Sequence, residues 1–126
     1  MLLPSHILLV DDDIDDQGFF CEALKETYPN CSCDIANTVT DALGRLKANG
    51  HYNYIFLDLN LPCTDGFRFL ELIRADEEHY HIPIIILSTS SNPRDIERCK
   101  QLGAKSFYSK GNSYGMLSDM MKQVFS

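Results

Sequence analysis

The chain reads as an α/β protein, a doubly wound parallel sheet covered by helices on both faces. Two observations predict this. Apolar runs alternate with amphipathic stretches along all 126 residues, which is the rhythm of repeated strand–helix–strand units. The runs themselves, Ile7-Leu8-Leu9-Val10, Tyr54-Ile55-Phe56-Leu57 and Ile84-Ile85-Ile86-Leu87, are continuous, as strands buried on both faces require. A third feature concerns chemistry. These runs pass straight into Asp11-Asp12-Asp13, Asp58 and Ser88-Thr89, and a weaker run, Phe107-Tyr108, leads to Lys110. In parallel α/β sheets functional groups gather at the carboxyl ends of strands, so these residues read as one site.

The strands are expected near residues 6–11, 32–36, 53–58, 83–88 and 105–109. After the first, Phe20, Ala23 and Leu24 share a helical face, and Asp13, Asp15 and Asp16 fit the acidic first turn that a helix dipole favours. Cys31-Ser32-Cys33 brackets the start of the second strand. Val39, Ala42, Leu43 and Leu46 then mark a second helix, and Phe67, Leu70 and Ile73 a third. The polar stretch Asp76-Glu77-Glu78-His79-Tyr80-His81 reads as an exposed loop, whose histidines lack further ligands nearby to make a metal pair. Asn92-Pro93 has the cap-then-proline pattern of a helix start. Its inward side would be Ile96, Cys99 and Leu102, with Gly103 at the stop position. The last helix carries Tyr114, Leu117, Met120, Met121, Val124 and Phe125 at helical spacing, a stripe best read as core.

Composition narrows the function. A formal net charge of −7 disfavours general nucleic-acid binding, which wants a basic face. Part of the excess sits in Asp11, Asp12, Asp13, Asp15 and Asp16, where a divalent cation would offset it. No apolar run approaches the length of a membrane span, and residues 1–6 lack the pattern of a secretory signal. The five cysteines form no zinc-ribbon or CxxC pattern, and their odd number suits a reducing compartment, with the cytoplasm as the default. With no repeats and no linker, residues 1–126 are expected to form a single domain with no output domain attached.

Five strand–helix units in succession form a (βα)5, flavodoxin-like three-layer sandwich. Its strand order, 2-1-3-4-5, is borrowed from the general rule for such sheets rather than derived from these residues. In that order the reversal lies between strands 1 and 3, the strands that carry Asp11, Asp12 and Asp58. Carboxylates held this close repel, and a hard divalent cation such as magnesium resolves the repulsion through oxygen ligands. Lys110 adds a second positive charge and Ser88 a hydroxyl donor. The set anticipates an incoming phosphoryl group, whose charge both cations would stabilise.

Four blocks then carry a resemblance: Leu8-Leu9-Val10-Asp11-Asp12-Asp13, Phe56 through Gly66, Ile82-Pro83 through Ser88, and Gly103 through Lys110. In order and spacing they resemble response-regulator receiver domains of bacterial two-component and phosphorelay systems, over the whole chain. The resemblance implies that Asp58 is the phosphoacceptor, attacking a phosphohistidine on a sensor histidine kinase or phosphotransfer protein. It implies that Asp12 ligates Mg2+ (or Mn2+) directly and Asp11 through water, with Asp58 and the backbone carbonyl of Asn60 in the same set. Ser88 stands at the switch hydroxyl position, Lys110 at the phosphate-contacting lysine, and Asn60 and Ser90 at positions that influence acyl-phosphate lifetime. The chain would be no turnover enzyme, acting only on its own Asp58. Phosphorylation would draw Ser88 inward, let Phe107 rotate, and reshape the face of the fourth helix, fifth strand and fifth helix for a downstream protein.

Two positions depart from the pattern. Phe107 replaces the usual tyrosine and cannot donate a hydroxyl hydrogen bond. Gly111 replaces the proline after the lysine, which puts the cis bond common there in doubt. Leu87 through Asn92 and the long segment before strand 4 resemble the small regulators paired with bacterial phytochrome kinases. The alternative from another class is a small aspartate-nucleophile phosphatase of the haloacid-dehalogenase type, but Asp15 fills the place of its motif's Thr or Val and there is no space for a cap. A calcium loop beginning at Asp11 fails because Asp16 sits where glycine is needed. The expected assembly is a monomer or weak homodimer, with no nucleic-acid or membrane partner.

Overall fold

The computed structural model describes residues 4–48, 51–59, 66–89, 92–110 and 114–125. Strands and helices alternate: β1 (His6–Val10), α1 (Ile14–Thr27), β2 (Ser32–Ala36), α2 (Val39–Ala48), β3 (Tyr54–Asp58), α3 (Gly66–Arg74), β4 (Ile84–Ser88), α4 (Pro93–Gln101), β5 (Ser106–Ser109) and α5 (Tyr114–Phe125). The strands form one parallel sheet in the order β2-β1-β3-β4-β5. The flavodoxin-like architecture read from the sequence is therefore the observed one, and the strand order reverses between β1 and β3.

Alternation along each strand sorts the core into two layers. Leu8, Val10, Ile55, Leu57, Ile84 and Ile86 pack against α2, α3 and α4 through Val39, Ala42, Leu46, Phe69, Leu70, Ile73 and Cys99. Ile7, Leu9, Phe56, Ile85 and Leu87 face α1 and α5, where Phe20, Ala23, Leu24, Met120, Met121, Val124 and Phe125 close the opposite layer. Phe56 is its centre, meeting Phe20 edge-on at 5.0 Å and Phe125 at 6.0 Å between ring centroids. The three inner strands are buried on both faces; the edge strands β2 and β5 are partly exposed.

Local chemistry sets the helix ends. Asp13 caps α1 by accepting from the amides of Asp15 and Asp16. Asn92 caps α4 ahead of Pro93. Gly103 follows α4 with φ of 92°, the left-handed region that favours glycine, and a Cβ there would stand 2.5 Å from Arg74 Nε. Arg74 Nη2 donates to the Gly103 carbonyl at 2.7 Å, which holds the two turns together.

Three expectations need correcting. His79 is not an exposed loop residue: it is 4 % exposed, and its Nδ1 meets Asp76 Oδ2 at 2.7 Å in a compact turn. The polar composition of that stretch hid a local hydrogen-bonded turn. In α3 the buried residues are Gly66, Phe69, Leu70 and Ile73, while Phe67 is half-buried beneath the Arg98 guanidinium, 4.0 Å above its ring. On α4 and its cap Cys99 is buried as expected, but Ile96 and Leu102 are only half-buried. The side chain of Tyr114 lies outside the described residues. Cys21, Cys31, Cys33 and Cys99 are free thiols. Burial pushes the Cys33 thiol upward and that of Cys99 to about 11, so neither is primed as a thiolate. Among the described residues no helix is long and apolar enough to cross a membrane.

Candidate functional site

Strand register alone brings the first two acids together. Val10 is opposite Leu57 in the β1–β3 ladder, so Asp11 and Asp58 leave adjacent strands side by side. The Asp11 amide donates to the Ala36 carbonyl at 3.0 Å, extending the β1–β2 ladder by one residue and fixing where Asp11 emerges. Its Oδ1 accepts from the Asp13 amide at 3.0 Å, and Gln17 Nε2 donates to its carbonyl. On the other side of the site, the Lys110 amide donates to the Ser88 carbonyl at 2.7 Å. That bond extends the β4–β5 ladder and aims Lys110 back across the sheet edge.

One carboxylate oxygen from each of Asp11, Asp12 and Asp58 lies within 4.8 Å of the other two. Asp11 is 2 % exposed and Asp58 4 %, whereas Asp12 is exposed. The donors are hard oxygens only, two walled in and one open to water. Such a set fits magnesium, which keeps several waters and binds through few carboxylates. The Lys110 ammonium sits among the acids, donating to Asp16 Oδ2 at 2.7 Å, Asp11 Oδ2 at 2.9 Å and Asp58 Oδ2 at 3.0 Å.

The electrostatics follow from burial. Removal from water pushes the Asp11 carboxyl above the usual carboxylate range; the Asp13 amide and Lys110 pull the other way, and the Asp58 charge adds to the rise. For Lys110, burial alone favours the neutral amine. The bonds to Asp16 and then Asp11 and Asp58 outweigh it and hold the ammonium above its ordinary pKa. Three carboxylates thus hold one ammonium, with Asp12 beside two of them, and the described site is short of positive charge.

The sequence matches the response regulator receiver domain family over residues 7–122. The chain belongs to that family. As a receiver domain of two-component signalling it is 32 % identical to the response regulator Rcp1 of Synechocystis, over 96 % of this chain and 84 % of that protein. It is 36 % identical to the transcriptional regulatory protein BasR of Escherichia coli, over 82 % of this chain and 45 % of BasR. The solved structure of the phosphorylated cyanobacterial phytochrome response regulator RcpA is similar with a TM-score of 0.86, at 29 % identity, covering 95 % of this chain and 90 % of RcpA. The family match disfavours the phosphatase alternative. The calcium-loop reading fails on geometry as well, because α1 starts at Ile14 and a strand precedes it.

Of the receiver's remaining predicted residues, Ser88 ends β4 with no exposure at all, and Phe107 lies half-buried against the layer that holds α2, α3 and α4. Asn60, Ser90 and Gly111 lie outside the described residues. The residue missed from sequence is Asp16. It sits in the acidic first turn of α1 as expected, and it also makes the shortest of the three Lys110 contacts. The signal was present: Asp16 is third in the helix after the Asp13 cap, and helical side chains lean toward the N-terminus, here toward the strand ends.

Proposed function

We propose that this receiver takes a phosphoryl group from the phosphohistidine of a sensor histidine kinase or phosphotransfer protein onto the Asp58 carboxylate. A carboxylate oxygen of Asp58 forms the new bond to phosphorus while the phosphorus–nitrogen bond to the donor imidazole breaks. Supporting this reading is one contact above the others: the Lys110 ammonium touches Asp58 at 3.0 Å, where negative charge gathers during transfer. Asp11, Asp12 and Asp58, with the Asn60 carbonyl, would hold Mg2+ or Mn2+, and Rcp1 has a solved Mn2+-bound structure similar to this one, with a TM-score of 0.84 at 29 % identity, over 96 % of this chain and 91 % of that one. When bound, that ion would supply charge neutralisation at the transferring oxygens. Asp58 provides the nucleophile, Lys110, itself held by Asp11, orients it, and burial of Asp11 and Asp58 limits water at the acyl phosphate.

In the same reading, Ser88 and Phe107 relay the change to the surface of α4, β5 and α5, which a downstream protein reads. Acetyl phosphate with magnesium tests the acceptor. Intact mass should rise by one phosphoryl group in the wild type and stay unchanged in Asp58→Asn. An equal gain in that variant removes Asp58 from the role.

A further inference from the structure

Asp16 lies outside every block that carries the receiver resemblance, yet it is bound into the centre of the site. An ammonium has three protons to donate, and the Lys110 ammonium gives them to Asp16 at 2.7 Å, Asp11 at 2.9 Å and Asp58 at 3.0 Å. Its donor capacity is full. Phosphorylation turns the Asp58 carboxylate into a weak acyl acceptor and frees the donor it held, so a second bond from Lys110 to the new phosphoryl oxygens requires release of another carboxylate. The three differ in what release costs. The Asp11 side chain is 3 % exposed, and losing its cation leaves a buried charge unpaired. Asp58 is itself the group being modified. The Asp16 side chain is 37 % exposed, and water can replace the ammonium there.

We propose that Asp16 is a positioning residue that holds the Lys110 ammonium before phosphorylation and yields it to the phosphoryl group, thereby weakening the site's hold on phosphoryl. This rests on the reading of Asp58 as the acceptor. The effect runs through Lys110: Asp16 occupies a proton that the phosphoryl oxygens need.

The test is calorimetric titration of the full chain with magnesium alone, and with beryllofluoride at saturating magnesium as the phosphoryl stand-in. Asp16→Asn should bind beryllofluoride about fivefold to tenfold more tightly, the scale of one partly screened charge at a few ångströms. The same variant should bind magnesium more weakly, because Lys110 then draws closer to Asp11 and Asp58. Opposite signs for the two ligands separate positioning from damage, which would weaken both. Asp16→Glu should stay near wild type. Asp15→Asn, the same charge change one residue away, should shift beryllofluoride affinity less than about twofold. In a Lys110→Gln background the effect of Asp16→Asn should vanish. Equal shifts in Asp15→Asn and Asp16→Asn, weakening of both ligands, or persistence of the effect without Lys110 each overturn the proposal. A wild-type protein that binds magnesium but not beryllofluoride overturns the Asp58 reading and this one with it. If the wild type binds both and Asp16→Asn matches it, only the role of Asp16 falls.

Discussion

Lys110→Met deletes the ammonium while keeping a flexible apolar stem, and the structure sets the size of the effect. Lys110 is 14 % exposed at its side chain, and two of its partners, Asp11 and Asp58, are 3 % and 6 % exposed. Removing one member of a buried ion pair costs about 3–5 kcal/mol because the other is left charged and unpaired. The third partner, Asp16, is 37 % exposed and adds under about 1 kcal/mol. Protonation relieves part of this. Burial already holds the Asp11 carboxyl above its ordinary range, and loss of Lys110 moves it further up. A carboxyl whose folded pKa exceeds its unfolded one destabilises the fold as pH rises: the penalty is absent below the unfolded value and complete above the folded one. The metal-free variant should therefore lose about 3 kcal/mol at pH near 8, and the gap to wild type should close toward about pH 4, where unfolded carboxyls protonate. Urea unfolding followed by circular dichroism at the two pH values measures it, with m unchanged. Magnesium should restore part of the loss at the higher pH. A loss of equal size at both pH values would refute the reasoning, since it would mean that the stem's packing, not the charge, is what Lys110 contributes.

Two further outcomes follow from places far from the acids. Gly103→Ala should lower stability by about 1–3 kcal/mol in thermal unfolding, because φ of 92° is strained for alanine and the new Cβ meets Arg74 at 2.5 Å; an unchanged Tm would mean the turn re-forms freely. At the opposite end of the sheet, Tyr52 Oη donates to Asp34 Oδ2 at 2.6 Å and His6 Nε2 meets the same oxygen at 3.1 Å. The Tyr52 hydroxyl holds the Asp34 carboxyl below its ordinary range; burial opposes it, and His6 adds a weaker downward pull. A depressed carboxyl stabilises the fold above its unfolded pKa, and that contribution is lost as pH falls through the folded value. Tyr52→Phe should cost about 1 kcal/mol near neutral pH and progressively less in acid, read by urea unfolding across pH. A difference that stays constant into acid would exclude the Asp34 charge as its source.

Much of this molecule was legible in its residues, for identifiable reasons. β1, β3 and β4 are buried on both faces, so their apolar runs are unbroken and their ends stand out. Once those ends are aligned, the position of Asp11 beside Asp58 is a matter of register. Lys110 could be placed at the site because β5 ends one residue before it. Asp16 was not legible because an acid in a helix's first turn already has a sufficient reason to be there, and composition cannot tell a dipole partner from a lysine partner. His79 was hidden likewise: its neighbours are polar, and only the turn that brings it to Asp76 buries it. Phe67 and Phe69 both fit a helical face when only Leu70 and Ile73 anchor the phase, and only packing shows that Phe69 is the buried one.

The shortage of positive charge joins these observations into one argument. A fold that buries Asp11 and Asp58 against each other with a single ammonium between them accepts a stability cost at the sheet edge. In the proposed reading that cost would be lowest with a divalent cation bound, and highest if a phosphoryl group arrived without one. In the proposed reading the two ligands are therefore coupled through Lys110 by necessity: the ion supplies the charge that the phosphoryl group demands, and Lys110 is the donor both redistribute. Such coupling is reciprocal, so phosphoryl binding must tighten the ion by the same factor that the ion tightens phosphoryl. Linkage of this kind needs no moving surface. It would persist even in a variant whose Phe107 could no longer turn, which separates the chemistry of the pocket from the signal that leaves it.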